Sequence, residues 1–207
     1  MNSTTRLLLV RHGEVENRYH RVFGGSQIDM SLSERGHEQA RHLAEFLDRE
    51  SLDAIYASPM KRALQTLAPM NTKRGHIPEI VHHLQEVNFG DWTGLSWDEV
   101  RSRFDVSAYH WLDLLDQAAI PNAESGKQFR ARIEPAMKDI LAAQKGKTVA
   151  IICHGGVIRM ILSILLDLPL PKTSSFEIDY ASVTTLSVAS NKTEVKLLNF
   201  APWQHLA

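Results

Sequence analysis

Two short, continuous apolar runs constrain the fold of this chain more than any other feature. Residues 6–10 read RLLLV and end at Arg11-His12-Gly13, and residues 148–153 read TVAIIC and end at His154-Gly155-Gly156. Apolar runs without polar alternation are typical of strands buried on both faces. Such strands lie inside a sheet that helices cover on both sides, so the chain is predicted to be a layered α/β protein.

Helical patterns alternate with these strands along the sequence. Further strands are predicted at 53–57, 78–84, 176–178, 183–188 and 195–200, and helices at 33–50, from Ser58-Pro59 to before Gly75, at 96–118, from 124 onward and at 157–166. This alternation predicts a three-layer α/β/α sandwich with a mostly parallel sheet. The segment from about 94 to 125 does not fit the repeat, and we predict that it is a helical cap insertion within a single domain, 1–207.

Length, composition and charge exclude several classes of protein. The chain has 207 residues, of which 43% are hydrophobic, a content that fits one globular domain rather than a disordered chain. The net charge of -1 argues against nucleic acid as a partner. A single cysteine, Cys153, rules out an intrachain disulfide and a cysteine-rich zinc site.

Membrane insertion and export are not expected either. No apolar stretch approaches the roughly 20 residues that span a bilayer, and the first residues lack the apolar core of a signal peptide. We therefore expect a cytoplasmic protein with no membrane partner. The sequence is also compatible with a homodimer.

Polar side chains come directly after several of the predicted strands, and a hydrophobic core does not explain their presence there. Arg11 and His12 follow the first strand, Glu86 the third and His154 the fourth, while Arg62 lies in the first turn of the helix after Ser58-Pro59. The carboxyl ends of parallel strands meet at one edge of a sheet, where ligands bind. We also expect the N-terminus of that helix to add a positive dipole end. Two guanidiniums, two imidazoles and one carboxyl suit a dianionic phosphoryl group.

Other interpretations of these residues exist. Each side chain alone is more often a structural or surface residue. His12, His154, Glu86 and Asp91 could be metal ligands, but two arginines beside the histidines would repel a cation. No HExxH motif and no aspartate cluster of a two-metal phosphatase occurs, so we expect no metal. His82 and His83 are expected to point to opposite faces of the third strand, as packing or surface residues.

At these residues the sequence resembles the histidine phosphatase superfamily, the phosphoglycerate mutase-like fold. The opening LLVRHGE resembles its signature, and SPMKRALQT and EVNFGDWTG resemble two later motifs. The second histidine motif corresponds to CHGGVIR. Five such segments occur in family order over nearly the whole chain: 8–14, 32–40, 57–66, 86–94 and 153–159.

The resemblance implies a role for each residue of the group. His12 would be the nucleophile that forms a phosphohistidine. Arg11, Arg62 and His154 would hold the phosphoryl oxygens, with His154 protonated beside a dianion. Glu86 would be the proton donor, and no cofactor is implied.

Two further binding residues are carried over from the resemblance. Many relatives have an asparagine six residues after the histidine, where this chain has Arg18; Asn17, one residue earlier, is assigned that role. Gly25 corresponds to a glycine that contacts phosphate. The family's Gly-Glu-Ser before the late helix reads Ala123-Glu124-Ser125 here.

The resemblance favours a phosphatase that acts on a small-molecule phosphomonoester. A phosphoglycerate mutase needs extra cations beside the proton donor, where this chain has the uncharged Val87-Asn88. A non-catalytic module that binds a phosphorylated ligand is the third alternative. The substrate stays open among sugar phosphates, phosphoglycerates, α-ribazole phosphate and broad specificity. Most aromatics of the cap are expected to pack it on the sheet, while one or two line the leaving-group pocket; they are Trp97, Phe104, Tyr109 and Trp111, with Trp92 just before the cap. Trp203 and His205 are expected either to close over the site or to pack.

Overall fold

A six-stranded sheet forms the centre of the protein. The computed structural model describes residues 4–70 and 77–205. The strands are β1 (Thr5–Arg11), β2 (Ala54–Ala57), β3 (Glu79–Ile80), β4 (Thr148–Cys153), β5 (Val183–Ala189) and β6 (Lys192–Phe200). Their order across the sheet is β3-β2-β4-β1-β5-β6.

The sheet is parallel in the half that carries the predicted site. β1 pairs with β4, β4 with β2 and β2 with β3, all in parallel. The last two strands form an antiparallel hairpin, and β5 of this hairpin pairs antiparallel with β1. The two apolar runs are therefore strands inside the sheet, as predicted, and the structure shows that they are neighbours.

The central strands bury side chains on both faces. Leu7 and Leu9 of β1 belong to one apolar cluster, while Leu8 and Val10 belong to the other. Successive side chains of a strand point to opposite faces, so a strand that is apolar at every position requires a helical layer on each side. This arrangement is the predicted three-layer α/β/α sandwich.

Seven helices occur in the described residues. They are α1 (Glu34–Asp48), α2 (Lys61–Leu67), α3 (Trp97–Phe104), α4 (Trp111–Asp116), α5 (Gly126–Ala143), α6 (Gly155–Leu165) and α7 (Pro202–His205). Helices α1 and α2 pack in the cluster of Leu8, and helices α5 and α6 in the cluster of Leu7. Capping boxes at Ser96 and Ser125 start α3 and α5.

The segment 94–125 carries α3 and α4. Val100 of α3 and Leu112 of α4 are buried in the same apolar cluster as Phe129 of α5. Asp105, in the left-handed conformation, ends α3 within the segment 96–118 that was predicted to be helical. The predicted boundaries of the domain, 1–207, and of the cap insertion stay predictions.

Three predicted elements are wrong. The third strand covers only Glu79–Ile80, because His82–Leu84 forms a 3-10 turn, and its two histidines are exposed rather than directed to opposite faces of a sheet. Residues 176–178 form no strand. The helix predicted to start at Ser58-Pro59 begins at Lys61 and ends at Leu67, and Gly75 lies outside the described residues.

The described helices also bear on the membrane question. None of those within 4–70 and 77–205 combines the length and the apolar character that crossing a membrane requires.

Candidate active site

The ends of three parallel strands meet at one edge of the sheet. Arg11 at the end of β1 is in register with Cys153 at the end of β4. The backbone N–H of His12 donates to the carbonyl of Cys153 at 3.0 Å, and the N–H of Ser58 donates to that of Ile152 at 2.9 Å. Strand pairing thereby brings Arg11, His12 and His154 together beside the start of α2, as the sequence predicts.

The imidazole of His12 is fixed in one tautomer. His12 is 5% exposed, and its Nδ1 lies 2.7 Å from the carbonyl oxygen of Gly13. A carbonyl only accepts, so Nδ1 carries the proton and donates it. The lone pair of the neutral ring is therefore on Nε2, the atom that can act as a nucleophile.

Burial and two guanidiniums keep this ring neutral. Burial lowers the pKa of His12 well below its usual range, and the charges of Arg62 and Arg11 lower that pKa further. The hydrogen bond to Gly13 acts in the opposite direction but is the smallest contribution. His12 therefore has an available lone pair under conditions in which an exposed histidine is largely protonated.

A buried chain of hydrogen bonds runs from Ser58 through His154 to Arg62. The Nε of Arg62 donates to Nδ1 of His154 at 3.1 Å. Nε2 of His154 is 2.7 Å from the hydroxyl of Ser58. Because an arginine only donates, Nδ1 of His154 is unprotonated, and the proton of the ring lies on Nε2.

This arrangement differs from the expected role of His154. Both ring nitrogens have protein partners, so the ring orients Arg62 rather than presenting a free N–H to a phosphoryl oxygen. Burial lowers the pKa of His154 well below its usual range, and Arg62, His12 and Arg11 lower it further. The ring is therefore neutral in this arrangement, and its protonation beside a dianion stays a prediction. Ser58, which precedes the helix that carries Arg62, is the buried partner of His154, and its hydroxyl also accepts from the N–H of Met60 at 3.4 Å.

Arg62 is held on three sides. Its Nη2 donates to the carbonyl of Gly25 at 2.9 Å and its Nη1 to that of Ile28 at 3.2 Å, in addition to the bond to His154. These bonds use three of the five N–H groups of a guanidinium, which leaves two for a ligand. The side chain is 3% exposed, so its orientation is set before a ligand arrives.

Arg11 lines the same cavity as His12 and Arg62. Its Nη1 donates to the carbonyl of Ile178 at 2.6 Å, and its guanidinium carbon lies 3.9 Å from the centre of the Tyr180 ring. The Nε of Arg11 is buried without a hydrogen-bond partner among the described residues. A buried donor of this kind costs free energy unless a ligand accepts from it. Tyr180 was not found from sequence, because it lies in an irregular segment far along the chain.

Glu86 reaches the same cavity from a loop rather than from a strand end. Its Oε2 accepts from the N–H of Gly156 at 3.1 Å, in the first turn of α6, and its Oε1 accepts from the N–H of Val87 at 3.0 Å. Any side chain at position 156 would collide with Glu86, since its Cβ would overlap Oε1. Gly156 thus permits the contact between α6 and the carboxyl.

These groups line one cavity of about 110 Å³. Drug-sized ligands occupy pockets of roughly 300–1,000 Å³, so this cavity suits a smaller group. The polar side is formed by Arg11, His12, Arg62 and Glu86. The apolar side of the lining consists of Val15, Tyr19, Val22, Phe23, Met30 and Phe89.

The two further residues predicted to bind substrate lie in different places. Gly25 lines the cavity at a φ of +54°, and the carbonyl of Val87 occupies the space that a Cβ would need there, so only glycine fits. Asn17 does not line the cavity; it lies by a shallow hollow with Glu14, Glu16 and Arg35. Its neighbour Arg18 is exposed and pairs with Glu16.

The structure also differs from the expectation that one or two aromatic side chains of the cap line the cavity. Trp92 and Trp111 pack in the core, and Tyr109 stacks edge-on against Trp97 near the surface, so none of these cap aromatics lines the cavity. Trp203 packs against the cluster of Leu8, and its indole N–H donates to the carbonyl of Tyr180 at 2.9 Å. The side chain of His205 is outside the described residues.

The N-terminus of α2 is not free for an anion. The backbone N–H of Lys61 donates to the carboxylate of Asp29 at 2.7 Å, so a side chain of the protein already uses this donor, and the expected dipole contribution to the site stays a prediction. Asp91 bonds to Asn122 at 2.9 Å, away from the cavity lining. Within 4–70 and 77–205, no three His, Cys, Asp or Glu side chains come together to hold a metal ion.

A neutral histidine with a free Nε2, two guanidiniums and a carboxyl in one small cavity define a phosphoryl-transfer site on an α/β sandwich. A model of the histidine phosphatase superfamily (branch 1) matches residues 7–201, and the chain belongs to this family. It is a phosphatase-type hydrolase by these comparisons, and the resemblance seen in the sequence is confirmed.

Relatives of the chain act on small phosphate esters, as their names state. The chain is 29% identical over 195 residues to phosphoserine phosphatase 1 of Hydrogenobacter thermophilus, covering 94% of this chain and 92% of the relative. It is 34% identical over 165 residues to a metal-independent phosphoserine phosphatase of Arabidopsis thaliana, covering 77% of this chain and 68% of the relative. Among solved structures, mycobacterial glucosyl-3-phosphoglycerate phosphatase matches with a TM-score of 0.83 at 26% identity, over 95% of this chain and 99% of that one.

Proposed function

We infer that the protein is a phosphomonoesterase that hydrolyses a small-molecule phosphate through a phosphohistidine on His12. The observation that carries this proposal is the hydrogen bond from Nδ1 of His12 to Gly13, because it leaves the lone pair on Nε2. The charges of Arg62 and Arg11 act on this ring, and both arginines line the same cavity as His12 and Glu86. The family membership supports the same reaction.

In the first step, Nε2 of His12 attacks phosphorus and the ester P–O bond breaks. The departing alkoxide takes the proton of the Glu86 carboxyl and leaves as the alcohol. Free N–H groups of Arg11 and Arg62 bind the phosphoryl oxygens, and charge-assisted bonds of this kind are worth about 1.5–3 kcal/mol each. Positioning and charge stabilisation are what phosphoryl transfer requires of a protein.

In the second step, water attacks the phosphohistidine and gives its proton to the Glu86 carboxylate. The P–N bond breaks, inorganic phosphate leaves and the lone pair returns to Nε2. Through both steps Nδ1–H stays bonded to Gly13, and His154 keeps Arg62 in place. No metal is needed in this scheme, since the two guanidiniums supply the positive charge.

The apolar side of the cavity faces the alcohol part of the ester. Tyr19 is partly exposed there, whereas Phe23 and Phe89 are buried and packed edge-on at 4.8 Å between ring centres. This side favours an alcohol with an apolar portion. Phosphoserine, the substrate named for two relatives, and other small phosphomonoesters are the first compounds to test.

The test is a panel of phosphomonoesters without added metal, combined with a search for the covalent intermediate. We expect release of inorganic phosphate and an acid-labile, alkali-stable phosphoenzyme that His12→Ala lacks. His42→Ala, at an exposed position of α1, is the matched control and should behave like the wild type. Hydrolysis that persists in His12→Ala would contradict the proposal. Interconversion of phosphoglycerates faster than phosphate release would indicate the mutase, and binding without turnover would indicate the non-catalytic module.

A further inference from the structure

The loop that carries Glu86 has no strand to hold it. The ladder between β2 and β3 ends at Ile80, and a 3-10 turn separates it from Glu86. A proton donor must nevertheless be held within a fraction of an ångström of the atom that it protonates. Something other than the sheet must therefore fix this loop.

Arg132 of α5 supplies that fixation through all of its donors. Its Nη1 donates to the carbonyls of His83 at 2.6 Å and Gln85 at 2.8 Å, and its Nη2 donates to that of Glu86 at 2.9 Å. The remaining two N–H groups donate to the carboxylate of Glu124, from Nε at 3.0 Å and from Nη2 at 2.8 Å. A guanidinium has five N–H groups, and each one is used.

Glu124 holds the other side of the same loop. Its Oε1 accepts from the N–H of Asn88 at 2.9 Å, and its own N–H donates to the carbonyl of Asn88 at 3.0 Å. The pair is well shielded, with side chains 21% exposed at Arg132 and 14% at Glu124. The backbone is thus tied immediately before and after the segment that presents the carboxyl.

We propose that Arg132 and Glu124 are positioning residues that fix Glu86 for proton transfer to the leaving group. Neither lines the cavity, so they act through the loop and not on the substrate. The inference rests on the proposed function of Glu86. Because a displacement of about 1 Å can cost roughly 10²-fold in rate, loosening the loop should mimic partial loss of the donor.

The kinetic test compares leaving groups. An alkyl phosphate needs a proton donor, whereas p-nitrophenyl phosphate needs little help. In Arg132→Met we expect kcat/KM for an alkyl phosphate to fall about 10- to 100-fold, with a much smaller loss for p-nitrophenyl phosphate. Glu124→Gln should show the same selectivity to a smaller degree. Arg132→Lys, which keeps the charge but not the fork, should resemble Arg132→Met.

Matched controls separate positioning from stability. Arg130 lies on the same helix and pairs with Glu134 at 3.0 Å, so Arg130→Met removes an arginine without touching the loop and should leave the ratio of the two kcat/KM values unchanged. In a Glu86→Gln background, Arg132→Met should cause no further loss of selectivity. Equal losses for both substrates, or rescue by Arg132→Lys, would overturn the proposal.

A measurement that does not depend on activity distinguishes this inference from the proposed function. Backbone amide exchange at Val87 and Asn88 should accelerate in Arg132→Met and not in Arg130→Met. Unchanged exchange would overturn the positioning role, even if the wild type is an active phosphatase. A wild type that hydrolyses no phosphomonoester would instead reject the proposed function, while faster exchange would still support the fixation of the loop.

Discussion

The Nε of Arg62 donates to Nδ1 of His154 at 3.1 Å, and this bond joins the helix after β2 to the end of β4. The Nε2 of His154 in turn contacts Ser58, so a guanidinium, an imidazole and a hydroxyl form one buried unit. Its effect is to orient the remaining N–H groups of Arg62 before a substrate binds. In many enzymes, preorganised donors of this kind make the largest single contribution to stabilising the transition state.

Arg62→Ala should therefore be far more damaging than Arg18→Ala. Arg62 is 3% exposed and donates three hydrogen bonds within the protein, whereas Arg18 is exposed and forms an ion pair with Glu16. By analogy with the loss of one oxyanion donor, we expect a fall in kcat of about 10²–10³-fold for Arg62→Ala. Arg18→Ala should matter for some substrates at most. Equal losses from the two substitutions across several substrates would mean that the phosphate site is misassigned.

The acidic limb of the pH profile should lie below the usual range of histidine. Burial, Arg62 and Arg11 lower the pKa of His12, so the neutral nucleophile persists as the pH falls below about 6.5. Arg11→Gln removes one of these charges and should move the limb to higher pH. Measuring kcat/KM against pH with one substrate for both proteins cancels the titration of the substrate itself. A limb that does not move in Arg11→Gln would contradict this origin of the shift.

Stability should fall as the pH is lowered. The folded-state pKa values of His12 and His154 are depressed by burial, so the unfolded chain binds more protons than the folded one below about pH 6.5. The stabilisation is complete above that pH and is lost toward the lower folded-state values, by up to about 1.4 kcal/mol per pH unit for each histidine. Urea unfolding at several pH values should give a shallower dependence for His12→Gln than for the exposed control His42→Gln. If the free energy of unfolding depends on pH equally in the two variants, the pKa of His12 is not lowered in the folded state.

Activity should survive chelation. The charges of Arg11 and Arg62 take the electrostatic role that a metal has in other phosphatases, and no cluster of metal-ligating side chains occurs in the described parts of the chain. Phosphate release measured with and without EDTA should be the same. Loss of activity that magnesium restores would refute the histidine mechanism.

The sequence predicted the residues of the site more accurately than the bounds of the strands and helices on which they lie. His12 and His154 follow apolar runs whose burial on both faces is evident residue by residue, so two buried strands that end at one edge of the sheet could be inferred, but not that they are neighbours. Glu86 was assigned to the cavity although the strand before it was predicted too long. Residues 82–84 form a turn, and Arg132 binds the carbonyls of His83 and Gln85 where a ladder was expected. The residue that holds this loop lies on another helix, α5, so no pattern in the sequence of the loop itself reveals it.

Other contacts could not be predicted from the sequence for the same reason. Ser58 and His154 are 96 residues apart, and only the folded sheet shows that the hydroxyl contacts the histidine. Tyr180 lies over Arg11 from an irregular segment next to residues 176–178, where a strand was predicted. Asn17 was assigned by analogy, and its side chain lies by a separate hollow. Its role in binding substrate stays a prediction.

Glu86→Gln should make turnover depend on the leaving group. An alcohol is a poor leaving group, so the departing alkoxide needs the proton of Glu86, and general-acid help of this kind is worth roughly 10²–10⁴-fold. We expect kcat/KM for an alkyl phosphate to fall within this range and that for p-nitrophenyl phosphate to fall far less. The ratio kcat/KM is the relevant quantity, because it reports the step that forms the phosphohistidine.

His12→Ala is the reference for this experiment and should abolish both reactions, since the nucleophile is needed whichever group leaves. Asp91→Asn is the matched control: its carboxylate bonds to Asn122 and does not line the cavity, so both substrates should be turned over as by the wild type. If Glu86→Gln lowers both substrates equally, Glu86 is not the leaving-group acid. A selective loss in Asp91→Asn instead would assign the proton donor to Asp91.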